Sequence, residues 1–203
     1  MTPAQDYWQG AHLKYSTKDW IKKPTIFATQ AIKFFPETGK LLELGAGQGQ
    51  DSQYFTDLGY DVLAIDFSDF ALSKIQNLKT KVVDLSKPLP FPANSFDVVY
   101  SHLALHYFGA VRTQRLFDEI FNILKPQGIF ACFTNSVDDP EIASLAELEP
   151  DFYQAGDIQK RFFSVASMAK FTSKFTPLLL DNHGETYKDE IKSLIRFIGQ
   201  KTL

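Results

Sequence analysis

The stretch LLELGAGQGQDSQYF, residues 41–55, sets Gly45, Gly47 and Gly49 at alternate positions between an apolar run and a helical pattern. Glycine inside regular structure costs roughly 0.5–1 kcal/mol against alanine, so three within five residues mark conformations or close approaches that other residues refuse. A strand, a bare loop and a helix in that order make a backbone cradle for a ligand, because the loop brings main-chain N–H groups to the start of the helix.

The rest of the chain repeats that rhythm. Short β-like runs, KLLEL (40–44), YDVLAIDFS (60–68), TKVVDL (80–85), SFDVVYSH (95–102) and IFACFTN (129–135), alternate with helical patterns at 23–35, 50–59, 69–78 and from 112 onward. Pro24 suits the first turn of the earliest helix and Gly59 closes the second, while Ser68 is placed to cap the third. Leu116, Ile120, Ile123 and Leu124 form the inner side of the fourth, which Lys125, Pro126 and Gly128 end. This alternation predicts a parallel sheet with helices on both faces, whose strand-to-helix loops all leave one edge. After residue 136 the pattern loosens. The acidic segment 136–151 reads as part of a lid or a short helix, and 164–175 as a helix through Met168, Phe171 and Phe175. Segments 176–190 and 191–200 read as a terminal antiparallel hairpin, although a helix also fits the second of them.

Composition removes several functional classes. With 203 residues, 44% of them apolar, and no linker, the chain reads as one domain able to bury a large core. A net charge of −3 disfavours nucleic acid as a partner. The one cysteine, Cys132, lies in an apolar run, which excludes an internal disulfide and a cysteine-rich metal site and predicts a buried, inert thiol. No window approaches the roughly 20 apolar residues of a membrane span, so a cytoplasmic protein is expected.

The loop reads Glu43-x-Gly45-x-Gly47-x-Gly49. The dinucleotide fingerprint requires a glycine where Gln50 stands, and a phosphate-binding Walker loop requires a Gly-Lys-Ser/Thr that is missing. Asp66 lies 21 residues after Gly45, at the end of the second run, where a carboxylate can accept both hydroxyls of a ribose. Asp84 ends the third run, placed to meet the exocyclic amine of an adenine, with the backbone of Leu85 as a further contact.

In this order, LLELGAGQGQDS, VLAIDFS, VVDL, SFDVVYSHLALHYF and LKPQGIFACF resemble the class I S-adenosylmethionine-dependent methyltransferases, most closely the small type 11 and tellurite-resistance-like groups. The likeness is close over about residues 41–135. It implies a Rossmann-like three-layer α/β sandwich with a mostly parallel seven-stranded sheet and a C-terminal antiparallel hairpin. Within a single domain, residues 1–40 become an N-terminal helical lid and first helix, 41–135 the cofactor-binding core, and 136–203 the substrate-side segment and terminal strands. The cofactor implied is S-adenosylmethionine, with S-adenosylhomocysteine as product. Gly45, Ala46, Gly47 and Gly49 match the loop beneath it, and Glu43 the acid that opens the motif. Asp66 matches the ribose ligand, Phe67 a flank of the adenine, and Asp84 with Leu85 the adenine edge. Ser101 matches a position at the methionine end, over which Tyr15 resembles a closing aromatic. Relatives of the tellurite-resistance type carry an arginine where Gln50 stands, so the methionine carboxylate requires another partner here, Lys14 or main-chain N–H groups.

Methyl transfer from a sulfonium is an in-line displacement, in which alignment of donor and acceptor and exclusion of water are the protein's main tasks. Where the acceptor is a hydroxyl or a protonated amine, a base helps. His106 and His102 are the candidates, with Tyr107 as a pocket residue. The two histidines are four apart, as metal ligands on a helix can be, but the segment begins as a strand and no metal site is expected. The acceptor expected is a small molecule, and the oligomeric state is not readable. An NAD-type oxidoreductase and a non-catalytic S-adenosylmethionine-binding protein are the alternatives.

Overall fold

A computed structural model describes residues 3–187 and 192–202 of the chain. Its centre is a seven-stranded sheet built from β1 (Lys40–Leu44), β2 (Asp61–Asp66), β3 (Lys79–Val82), β4 (Phe96–His102), β5 (Leu124–Asn135), β9 (Thr176–Asp181) and β10 (Leu194–Gln200). The strand order is β3-β2-β1-β4-β5-β10-β9. The first five strands in that order run parallel, and β10 lies antiparallel between β5 and β9. The expected terminal antiparallel pairing is thus present; residues 188–191, which fall inside the hairpin as read from sequence, lie outside the described residues. Chain order reverses direction between β1 and β4, and a crevice opens beyond the carboxyl ends of strands at such a switch point.

Alternation of side chains sorts the core onto the two faces of the sheet. Leu42 and Leu44 on β1, Val99 on β4 and Phe130 and Cys132 on β5 pack one face, and Leu41, Val98, Tyr100, Ile129, Ala131 and Phe133 pack the other. The first face is covered by α5 (Ala110–Ile123), whose buried Thr113, Leu116, Phe117, Ile120 and Ile123 follow the helical period. On the second face Phe27 stacks on Tyr100 at 5.6 Å and on Phe133 at 5.0 Å. Burial of such a ring contributes about 1.5–3 kcal/mol. Cys132 is fully buried, and that burial pushes its thiol above the ordinary range, as an inert core residue requires.

Several elements differ from their sequence-based extents. The helix expected over 23–35 is the single α-helical stretch α2 (Ile26–Ala31), continued by a 3-10 turn at Ile32–Phe34. Thr25 takes the N-cap, its hydroxyl accepting from Ala28 N–H, which leaves Pro24 outside the helix. Ser68 caps α4 (Asp69–Leu72) as expected, but that helix ends well before Leu78, and Asn77 turns the chain with φ 61°. β3 stops at Val82, so Asp84 stands two residues beyond its end.

The largest omission from the sequence reading lies in 136–161. Of the lid or short helix expected over 136–151, a short 3-10 helix is present at Pro140–Ser144, and the chain then forms a three-stranded antiparallel sheet, β6 (Ala146–Glu149), β7 (Phe152–Ala155) and β8 (Ile158–Arg161). Its two turns are marked by Asp151 and Gly156 with φ of 62° and 60°. The Pro-Asp and Gly-Asp pairs at those positions were the available hairpin signals. α6 (Val165–Phe171) follows, opened by a Ser164–Ser167 capping box.

Candidate active site

The glycine loop leaves β1 at the switch point. Gly45 N–H and Ala46 N–H both donate to Ile65 O, at 2.8 and 2.9 Å, which folds the loop back over the end of β2. All three glycines are left-handed, with φ of 72°, 54° and 82°. Each has its own reason to lack a side chain. A Cβ on Gly45 would stand 2.1 Å from Ala104 Cβ on the loop after β4, and one on Gly49 would stand 2.8 Å from the Ile75 side chain. A Cβ on Gly47 would meet only His12, at 3.2 Å. Gly49 ends the loop as the N-cap of α3 (Gln50–Asp57).

Asp66, at the end of β2, is buried against this loop. One carboxylate oxygen accepts from Gly47 N–H at 2.9 Å and the other from Ser68 N–H at 2.9 Å. Phe67 follows, half-buried. Asp84 is exposed on the same edge of the sheet and accepts from Ser86 N–H at 2.8 Å, the geometry of an Asx turn. Leu85 is buried, and its carbonyl accepts from Arg112 Nε at 2.8 Å. Arg112 also holds Lys87 O and grips Glu119 through both guanidinium nitrogens, pinning the turn after β3 onto α5. Sequence reasoning did not find this pin, since nothing local relates Leu85 to Arg112.

Beneath the loop lies a buried acidic network. Glu43 accepts from the Ser52 hydroxyl, and burial, with the nearby Asp51 and Asp66 charges, raises its pKa well above the ordinary carboxylate range. Asp51 accepts from Thr25 N–H at 2.7 Å, the Thr25 hydroxyl at 2.8 Å and the Tyr100 hydroxyl at 2.7 Å. Burial raises Asp51 as well, against the lowering effect of those three donors. Glu43 therefore supports the loop from below. Because its folded pKa lies above its unfolded one, its stabilising contribution is complete below about pH 4.5 and declines as pH rises toward the folded value. Glu43→Gln, which keeps the partner of Ser52, should gain stability over wild type as pH rises above about 4.5, read from urea midpoints. A gain independent of pH would contradict this assignment.

The other wall comes from β4 and the loop behind it. The Ser101 hydroxyl donates to Leu44 O at 2.9 Å, fastening β4 to β1 at the switch point. His102 stacks on Phe133 at 4.9 Å. Leu103 takes a left-handed φ of 54°, a strained conformation for a leucine, and turns the chain into the site. His106 is only 2% exposed and its Nδ1 has no hydrogen-bond partner. Burial pushes its pKa down to about 3; Lys160, His102 and Lys192 act in the same direction and Glu141 opposes them. Those groups form a polar wall, with Lys160 Nζ 2.5 Å and Lys192 Nζ 2.9 Å from the two Glu141 oxygens. Tyr107 lies 4.2 Å from the His106 ring, and burial raises its phenol well above the ordinary range.

The small sheet explains how this loop is held. Arg161 N–H donates to His106 O at 2.7 Å, its guanidinium donates to Phe108 O and Pro150 O, and it pairs with Glu149. Glu149 also accepts from Ala110 N–H at 2.6 Å, at the start of α5. α1 (Pro3–Tyr15) packs against the same loop. Trp8 meets Tyr107 edge-on at 5.1 Å, and Tyr15 packs against His12 at 6.0 Å and Trp20 at 5.3 Å. Gln48 Nε2 donates to His12 O at 2.7 Å, and the Ser16 hydroxyl reaches Gln48 Oε1 at 3.1 Å, so α1 is tied to the glycine loop. Lys14 is exposed.

The structure thus gathers Gly45, Ala46, Gly47, Gly49, Asp66 and Ser101 about the switch point, with Glu43 below and Asp84 and Leu85 at the next strand end. Residues 42–132 match the family model described as Methyltransferase domain. Over 95 residues the chain is 36% identical to an uncharacterized methyltransferase of Synechocystis sp., a match covering 45% of this chain and 45% of that protein. A demethylmenaquinone methyltransferase of Paenarthrobacter aurescens is 32% identical over 104 residues, 48% of this chain and 40% of its own length. The match therefore spans less than half the length of these curated relatives. Among solved structures, a SAM-dependent methyltransferase of Methanosarcina mazei aligns with a TM-score of 0.72 and 19% identity, over 86% of this chain and 97% of its own. The 1,6-didemethyltoxoflavin-N1-methyltransferase of Burkholderia thailandensis, solved with 1,6-didemethyltoxoflavin and S-adenosylhomocysteine, aligns with a TM-score of 0.73 and 18% identity, over 98% and 85%. These likenesses establish the shared fold.

Proposed function

We propose that this chain is a class I S-adenosylmethionine-dependent methyltransferase that transfers a methyl group to a small-molecule acceptor by in-line displacement. The observation that carries the reading is the coupling of Asp66 to Gly47 in a loop of left-handed glycines at the switch point. The residues fit the cofactor chemically. Asp66 keeps lone pairs for two ribose hydroxyls, and the glycines expose main chain. Two buried polar atoms at the loop, His12 Nδ1 and Gln50 Oε1, have no partners. Gly45, Ala46, Gly47 and Gly49 would cradle the donor, Phe67, Asp84 and Leu85 would take its base, and Ser101 and Tyr15 would border its methionine end. When bound, S-adenosylmethionine supplies a methyl group on a positively charged sulfur.

The chain's own part is alignment and exclusion of water. Trp8, Tyr107 and His106 make an aromatic wall closed by α1, with the Glu141 and Lys160 pair behind it. Of the two histidines read as candidate bases, His106 offers a buried, unpartnered ring nitrogen. Held neutral, it suits hydrogen bonding to the acceptor better than proton removal, since a base this weak has little driving force near pH 7. Its ring should remain neutral between pH 8 and pH 5 by ¹⁵N NMR. Because its folded pKa lies below the unfolded value, its contribution to stability is present above about pH 6.5 and is lost as pH falls toward 3. A midpoint near 6.5 would return it to the role of general base.

The NAD-type alternative calls for a doubly wound sheet that continues parallel past β5. Here β10 runs antiparallel at that place. The reading keeps the chain as a single domain in the cytoplasm with nucleic acid disfavoured by its charge; no helix among the described residues is long and apolar enough to cross a membrane. Isothermal titration tests it: S-adenosylhomocysteine should bind in the micromolar range and NAD should not compete. Competition by NAD, or no heat with either ligand, would remove the methyltransferase reading.

A further inference from the structure

We infer that His12, on α1, grips the amino-acid tail of the methyl donor through Nδ1. The inference rests on the cofactor reading above and supplies the tail partner for which the sequence offered Lys14 or main-chain N–H groups. His12 is 7% exposed and its Nδ1 has no partner. A buried polar atom left unsatisfied costs about 1–3 kcal/mol, so its persistence points to a ligand that completes it. Its ring lies over Gly47, where a side chain would come within 3.2 Å of Cε1 and 3.9 Å of Nδ1. Its main chain is fixed to the same loop by Gln48. The ring is therefore held in place over the cradle.

Charge decides what this nitrogen does. Burial lowers the pKa of His12 and the nearby Asp66 partly offsets it, so the imidazole is neutral with one N–H to give. Asp66 accounts for the ribose, which leaves the α-carboxylate and α-ammonium of the donor as the polar groups still to be met. Gln50 Oε1, buried and unpartnered at the start of α3, can only accept and so suits the ammonium. His12 Nδ1–H then suits the carboxylate, and the exposed Lys14 is not required.

The test compares S-adenosylhomocysteine with 5′-methylthioadenosine, which keeps the nucleoside and lacks the amino-acid tail. By isothermal titration, His12→Ala should weaken S-adenosylhomocysteine by about five- to tenfold and leave 5′-methylthioadenosine within about twofold. His12→Asn, which retains a polar atom near the Nδ1 position, should recover most of the loss. The two tryptophans, Trp8 and Trp20, both pack against α1 residues, so unchanged emission of unliganded His12→Ala would show α1 still docked. Equal losses for both ligands, or none for S-adenosylhomocysteine, would overturn the role of His12 while leaving the cofactor reading intact. Wild-type protein that bound neither ligand would overturn both.

Discussion

Asp66→Asn should lower the affinity for S-adenosylhomocysteine by about a hundredfold, because two charge-assisted hydrogen bonds to the ribose, each contributing about 1.5–3 kcal/mol, are replaced by weaker neutral ones. The fold should survive the change. The carboxylate accepts from Gly47 N–H and Ser68 N–H, and an asparagine carbonyl still serves one of them. The amide nitrogen, by contrast, can only donate, and it would face N–H or O–H groups that need an acceptor. The loss should therefore appear chiefly in binding, with unfolding lowered only by the about 1–3 kcal/mol of the one backbone N–H that loses its acceptor. A titration in which Asp66→Asn binds within threefold of wild type would remove Asp66 from the site.

Gly45→Ala should act on the fold itself. The added methyl would lie 2.1 Å from Ala104 Cβ, and φ at this position is 72°. Left-handed backbone costs a non-glycine residue about 1–2 kcal/mol, and forcing extra volume into a packed contact adds about 1–3 kcal/mol. A total of about 2–5 kcal/mol is a large part of the 5–15 kcal/mol that holds a typical domain together. Gly59→Ala separates the two effects. Gly59 is also left-handed, with φ 96°, yet nothing lies within 4 Å of its Cβ position, so only the strain of about 1–2 kcal/mol should appear. Equal losses in the two variants would show that the loop after β1 does not press on the loop after β4. With the switch point forced apart, Gly45→Ala should also lose S-adenosylhomocysteine binding in whatever fraction remains folded.

What could be read before the structure was known is what neighbours along the chain determine. Gly45, Gly47 and Gly49 announce left-handed backbone by their identity alone, Ser68 announces a cap, and the short apolar runs in KLLEL and SFDVVYSH announce strands. Asp66 is legible because a parallel strand of known length delivers its last residue to a known edge. The less visible features are pairings across long separations. Asp51 meets Thr25 across 26 residues, and Arg161 reaches Phe108 across 53. A threonine or an aspartate at such a position has a local reading as a cap or a first-turn acid, and that reading conceals the distant partner. The small sheet β6-β7-β8 went unseen for a related reason: strands of four residues carry little periodicity, and their turns were the stronger mark. His12 shows the same limit, since its neighbour Gly47 lies far along the chain and not among the residues on either side of it.

The most direct test of this account is a crystal structure of the chain grown with S-adenosylhomocysteine. The ribose hydroxyls should meet the Asp66 carboxylate, with the tail lying along Gly45–Gly47 under α1 and the sulfur facing His106 and Tyr107. A ligand bound elsewhere, or an empty crevice at saturating concentration with Asp66 still turned to Gly47 N–H and Ser68 N–H alone, would contradict it.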